Sequence, residues 1–184
     1  MKRCLPLILL ILTVSKSFSQ TDGSMIFSVR QSTSVYGSHG FSPDVSFELQ
    51  YFVDEHVSLN YSIAVSHNYI HMPVSVPLAI LTSFCLYYYI EDLYYMFLLP
   101  EGVGFHFKLN DMIALSPYVN PLGMDVYYYG DYYEQWALTG AIGMKLYFNL
   151  DHRFYASPYA EYKIAYNYSG FDMRAGIAAG FRFR

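Results

Sequence analysis

The sequence is poor in charge, in cysteine and in unbroken hydrophobic runs, and each shortage removes a class of protein. Charged residues make up 14% of the 184 residues, against roughly a quarter in ordinary soluble domains. That is too little to cover a water-facing surface without leaving apolar patches. Lysine and arginine (11) are outnumbered by aspartate and glutamate (15), the wrong sign for a phosphate backbone, so nucleic acid is excluded as a partner. Of the two cysteines, Cys4 lies in the leader described next, which leaves Cys85 without an internal disulfide partner. Beyond the leader, no stretch reaches the roughly 18–20 apolar residues of a membrane-spanning helix. Disorder is excluded in turn, because a chain that is 54% hydrophobic collapses.

The N-terminus reads as a targeting segment. Lys2 and Arg3 precede an apolar run from Leu5 to Val14, and Ser17-Phe18-Ser19 places small residues at the −3 and −1 positions of a cleavage site. Residues 1–19 are expected to be a signal peptide and residues 20–184 a single domain. The run is too short to span a bilayer, and Cys4 precedes it instead of closing it, unlike a lipoprotein signal. Cleavage would remove Lys2, Arg3 and Lys16 and no acid, making the remainder still more acidic.

What is abundant is aromatic side chain, 20% of the chain with 21 Tyr and 14 Phe, set in a period of two. Val57, Leu59, Tyr61, Ile63 and Val65 alternate with Ser58, Asn60, Ser62, Ala64 and Ser66. Trp136, Leu138, Ile142, Met144, Leu146 and Phe148 alternate with Ala137, Thr139, Gly143, Lys145 and Tyr147, and residues 154–168 repeat the scheme. Such runs exceed the usual globular strand of about 5–6 residues and suit strands that cross a bilayer at a tilt. The chain also repeats itself: Phe107-Lys108-Leu109-Asn110 leads into Ser116-Pro117-Tyr118-Val119, as Phe148-Asn149-Leu150-Asp151 leads into Ser157-Pro158-Tyr159-Ala160. These are hairpins with tight turns at Asp54-Glu55, Asn110-Asp111 and Asp151-His152, where Asx side chains bond nearby backbone. Further strands are predicted at Met25–Tyr36, Asp44–Val53, Val74–Phe84 and Asp172–Arg184, with a rising strand near 87–98. The fold class is therefore all-β, a closed antiparallel up-and-down transmembrane β-barrel. Ten strands are preferred, with eight as the alternative if residues 70–94 form one loop.

Alternation alone fits a secreted barrel with an apolar inside or a membrane barrel with an apolar outside. The polar face decides. It is mostly Ser, Gly, Ala and Asn with thinly spread Arg30, Glu48, His106, Lys108, Lys145, Glu161, Lys163, Arg174 and Arg182. Small residues and a few opposite charges suit a narrow filled lumen better than a water-facing surface, and aromatic residues near strand ends suit the headgroup level. The chain here resembles the small outer-membrane β-barrels of Gram-negative-type bacteria, the OmpX- and OmpA-like group. The most specific element is the last strand, where Met173, Ala175, Ile177, Ala179, Phe181 and Phe183 share one face. In that group such a strand ends in an aromatic residue and is read by the barrel-assembly machinery. The resemblance implies that Phe181 and Phe183 serve that role here, although Arg184 follows Phe183. It also implies the bacterial outer membrane as location, and outer-membrane lipid as the surrounding partner.

A catalytic reading finds little. His56 and His152 sit in tight turns, His106 belongs to the polar face, and His67 and His71 lie on extended chain, where that spacing does not hold two metal ligands on one side. Ser38 and His39 are adjacent, so an extended chain points them apart, and no third group is evident to orient the base. The lipid-A deacylase pattern of His-x-Ser with an acidic partner is missing, as are phosphate loops, zinc spacings and calcium loops. The expectation is a non-enzymatic protein with no cofactor and no metal, structural or engaged in surface interaction. A narrow pore is the alternative. Tyr128, Tyr129, Tyr132, Tyr133 and Trp136 form a candidate surface aromatic cluster, since such rings give contact area at low entropy cost.

Overall fold

The computed structural model describes residues 23–37, 43–66, 69–78, 80, 99–129, 133–149, 153–167 and 170–183. The expected leader, the surface loops expected around residues 37–42 and 129–134 in part, and the turn expected at Asp151-His152 lie outside them. Ten strands follow one another: β1 (Met25–Gly37), β2 (Pro43–Phe52), β3 (Val57–Ser66), β4 (Tyr69–Pro73), β5 (Gly102–Phe105), β6 (Phe107–Lys108), β7 (Ile113–Tyr129), β8 (Tyr133–Phe148), β9 (Phe154–Ala165) and β10 (Phe171–Phe183). All pairings are antiparallel, and β1 pairs with both β2 and β10. The sheet is a closed barrel.

Ten strand segments make eight staves. β3 pairs with β4 through Ala64↔His71 and with β5 through Asn60↔Gly102, while β7 pairs with β4, β5 and β6 in turn. β4, β5 and β6 therefore succeed one another along one stave. It is interrupted midway. The Val74 amide donates to the Leu122 carbonyl (2.9 Å), the Leu122 amide to the Glu101 carbonyl (3.1 Å), and the Glu101 amide to the Asn60 carbonyl (2.9 Å). The wall thus stays hydrogen-bonded across the break, and residues 75–100 are an insertion in the middle of a stave. A Cβ on Gly102 would collide with the Val119 carbonyl and the Asn120 backbone, so only glycine fits where the chain re-enters. β7 is irregular at the same height: its register with β8 shifts between Asn120 and Gly123, where Pro121 has no amide to give.

The expected strand at Val74–Phe84 is not formed at its start. Residues 75–78 are helical, with the Leu78 amide bonded to the Val74 carbonyl (3.3 Å). Alternating side chains there imitate a strand, but the neighbouring positions in the sheet are already taken by Leu122 and Glu101. Residues 81–84 of that strand and the whole of the rising strand expected near 87–98 lie outside the described residues.

The tight turns form where Asx side chains replace missing backbone partners. Asp54 Oδ1 accepts from the amides of His56 (2.7 Å) and Val57 (2.8 Å), and Asn110 Oδ1 from those of Met112 and Ile113 (2.8 Å each). Elsewhere the period of two is the fold. β2 alternates exposed and buried along nearly its whole length, and β9 and β10 expose every apolar side chain of their outer face, with Ile177 63% exposed. The buried side is polar: Ser28, Arg30, Asp44, Glu48, Gln50, Asn60, Asp125 and Lys145 are all buried. This is the inverse of a water-soluble domain.

Candidate functional site

The chemistry of this chain is concentrated in the barrel lumen, because each strand contributes alternate residues to it and those residues are the polar ones. Near the tight-turn end the filling is aromatic. Phe52, His106, Tyr147 and Tyr155 pack in succession as tilted rings, with centres 4.5, 5.9 and 5.1 Å apart, and the Arg182 guanidinium lies 4.8 Å over the Phe52 ring. His106 Nε2 meets Ser58 Oγ at 2.8 Å. An amide ladder follows: Tyr147 donates to Gln50 (2.6 Å), Gln50 to Asn60 (3.2 Å), and Asn60 to Asn120 (3.1 Å).

The middle layer is ionic. Lys145 binds Glu48, Arg30 lies 3.8 Å from Glu48 and 3.3 Å from Glu161, and Tyr118 donates to Glu161 at 2.7 Å. Two rings shield these charges, Tyr159 under Arg30 (4.1 Å) and Tyr118 beside Lys145 (4.8 Å). A buried charge survives only when paired and hydrogen-bonded, and this layer meets that condition from five different strands. The gap left between the middle and upper layers is a cavity of about 20 Å³ lined by residues such as Arg30, Glu101, Glu161 and Arg174. That is room for one or two water molecules.

The upper layer turns on two carboxylates. Asp44 accepts from Arg174 (2.9 Å), Tyr69 (2.5 Å) and Ser32, and Asp125 from Lys163 (2.6 Å), Tyr127 (3.0 Å) and His71 Nδ1 (2.6 Å). His71 Nε2 meets Glu101 at 2.9 Å, and Ser62 donates to the same Glu101 at 2.6 Å. His71 and Glu101 flank the insertion, so their pair ties together the two ends of the broken stave. Tyr69 and Tyr127 cap this layer with rings 5.7 Å apart.

Of the residues expected in the lumen, Arg30, Glu48, His106, Lys145, Lys163 and Arg174 are buried inside the barrel, and Glu161 is nearly so. Arg182 is half-buried at the rim, its guanidinium on Ser24 at 2.7 and 3.0 Å. Lys108 departs from expectation. It is exposed, because β6 is only two residues long and ends at the exposed Asn110 turn on the rim of the barrel. Phe181 and Phe183 face outward at the same end, with Phe181 packed on Phe27 (5.9 Å) and on Phe183 (4.9 Å). Within the aromatic cluster, Tyr128 and Trp136 are exposed on the outer wall; Tyr132 and the side chains of Tyr129 and Tyr133 lie outside the described residues. So do Ser38 and His39. Sequence reading missed Asp44, Glu101 and Asp125, the carboxylates on which the upper layer depends. Asp44 and Asp125 sit in alternation with Val45 and Val126 and could have been found by that register. Glu101 gave no such signal, because it follows the insertion.

No family model matches the chain, and no curated protein matches its sequence. Solved structures do match its shape. The N-terminal β-barrel domain of Pseudomonas aeruginosa OprF superposes with a TM-score of 0.55 at 14% identity, covering 89% of this chain and 100% of that one. Ail, the attachment invasion locus protein of Yersinia pestis, gives 0.51 at 14% identity over 88% and 99% of the two chains. Neisserial surface protein A gives 0.50 at 6% identity over 89% and 99%. The fold is that of the eight-stranded bacterial outer-membrane barrels.

Proposed function

We propose that this chain is an integral outer-membrane protein whose barrel is a sealed, non-enzymatic scaffold, structural or presenting its loops and aromatic rim to a surface partner. The observation that carries the reading is the filled lumen. Apolar side chains cover the outside, as lipid requires, while the inside is filled by packed rings, ion pairs and amides that leave only small cavities such as the one beside Arg30 and Glu161. A solute path needs far more room than that. Export of the mature chain after cleavage at residue 19, and delivery to the assembly machinery through Phe181 and Phe183, belong to the same reading.

The filling also argues against catalysis. His71 is the most elaborately held imidazole among the described residues, and its partners are Glu101 and Asp125, neither of them an alcohol or thiol nucleophile. Two measurements test the proposal. The folded barrel in cold detergent should migrate differently on a gel before and after boiling. In planar bilayers it should give no steady channel openings; steady openings would establish the pore reading instead.

A further inference from the structure

The outer wall carries one side chain that a bilayer does not explain. Tyrosine and tryptophan aside, the described outward positions of the strands hold hydrocarbon, thioether or glycine except at Gln31 and Thr33. The Thr33 hydroxyl is buried against the wall, whereas Gln31 is exposed. Gln31 is the middle residue of the 13-residue strand β1, and it pairs with Ile177 at the middle of β10. Six residues at about 3.3 Å each, tilted by about 40°, put it about 15 Å above the lower end of the strand, in the middle of an apolar band about 25 Å tall. No side chain of that length reaches water from there, and no described residue hydrogen-bonds to its amide. A polar group held at this depth calls for a partner.

We propose that the outer face of β1, flanked by β2 and β10, binds a second copy of this chain within the membrane, about a two-fold axis along the membrane normal that brings Gln31 to Gln31. The proposal rests on the membrane reading given above. Its occupant follows from complementarity. A carboxamide carries both donors and an acceptor, so it is its own complement, and two copies exchange a pair of hydrogen bonds across the axis. The shape of the face is self-complementary as well. A two-fold rotation sets the β2 side of one copy against the β10 side of the other. On the β2 side Val45 and Phe47 stand out, 45% and 49% exposed. On the β10 side the residues flanking Ile177 are only Ala175 and Ala179. Val29 pairs with both Phe47 and Ala179, so the protruding ring and the gap lie at the same level of β1. Each copy therefore offers the other a ring and a place to seat it, and symmetry provides the contact twice. β7, across the barrel from β1, presents Val119, Leu122 and Met124 and no amide. One such face per barrel closes a pair and does not propagate.

Energy transfer between labelled copies tests this. Cys4→Ser and Cys85→Ser remove both native thiols, and Asp111→Cys places one on an exposed turn away from the proposed face. Donor-labelled and acceptor-labelled protein are refolded together into phosphatidylcholine vesicles, and the lipid-to-protein ratio is raised stepwise. Transfer should persist on dilution in this parent, and Gln31→Leu should associate about tenfold more weakly. That variant puts hydrocarbon into hydrocarbon, so its heat-modifiable mobility should be intact. Ala179→Phe, which fills the place of the Phe47 ring, should also weaken the pair, whereas Leu138→Phe on the outer face of β8 should not. A parent whose transfer falls on dilution as steeply as that of randomly mixed monomers would overturn the proposal. Equal persistence in the parent and in Gln31→Leu would overturn it too. Rapid reaction of Gln31→Cys, in the same thiol-free background, with a water-soluble maleimide at high dilution would instead remove the membrane reading itself, and the pair with it.

Discussion

The Lys145–Glu48 pair is the sharpest test of a dry lumen. Both side chains are 1% exposed and they are joined from strands far apart in sequence. Breaking a buried pair from one side costs about 3–5 kcal/mol, because the remaining charge stays buried without its partner. Lys145→Met should fall at the low end, since Arg30 still lies 3.8 Å from Glu48. Glu48→Leu should fall higher: the ammonium keeps the Tyr118 ring at 4.8 Å, and a desolvated cation–π contact returns only about 2 kcal/mol. The double variant removes both charges and leaves Arg30 with Glu161 at 3.3 Å. It should lie within about 1–2 kcal/mol of the parent, well short of the sum of the single effects. Urea titration in phospholipid vesicles measures this, with Trp136, the single tryptophan, as reporter on the lipid-facing wall. If all three variants fell within about 1 kcal/mol of the parent, water would be screening the pair, and the sealed lumen would be refuted.

Three further outcomes follow from the wall, the turns and the seam. Ile142→Arg places a charge in lipid and should cost about 2–4 kcal/mol; Gly143→Ala, on the opposite face, should cost about 1–3 kcal/mol by overpacking, since its Cβ would press on the Tyr118 ring and the Ala160 carbonyl. Both are read by the same titration. Asn110→Ala frees the amides of Met112 and Ile113 and should cost about 1 kcal/mol, with Asp54→Ala alike; a loss near zero would show that these turns hold without their side chains. Deleting residues 181–184 removes the Met25↔Phe183 and Phe27↔Phe181 pairings that close the barrel. Heat-modifiable mobility should then be lost, whereas deleting Arg184 alone should preserve it.

The fold was legible because a two-residue period survives any choice of partner strand. Residues 57–65 and 136–148 state their inward and outward faces without knowledge of the neighbours, and Asp54 and Asn110 mark turns by local chemistry. The strand arrangement was not legible around residue 74. Val74, Val76, Leu78 and Ile80 alternate with smaller residues as a strand would, and only the wall shows that the sites beside Leu122 are taken. Arg30, Glu48 and Lys145 were found by being charges on a polar face. A pairing of Lys145 with Glu48 or Glu161 could be anticipated from their shared face; what a lone sequence could not supply was the rest, since Lys163 meets Asp125 and Arg174 meets Asp44 across long chain separations. His71 shows the limit most plainly: on its own strand it is an isolated histidine, and its role comes from Glu101 and Asp125 on other segments.

The interrupted stave also bears on the order in which the barrel can be built. β1 to β3 pair with neighbours in sequence, and so do β7 to β10. Each group can form as a meander with little loop-closure entropy. The stave between them cannot. β4 offers two paired positions to β3 and five to β7, so most of its hydrogen bonds await a strand that arrives long after it in the chain. β7 therefore acts as a splint, holding β4 in line with β5 and β6 although residues 74–101 separate them in the chain. The late step in folding is then the meeting of two preformed half-sheets along a seam already cut through, where contacts are long in sequence and slow to find. A substitution at Leu122 or Gly123 would retard that meeting more than an equal loss of packing within either meander.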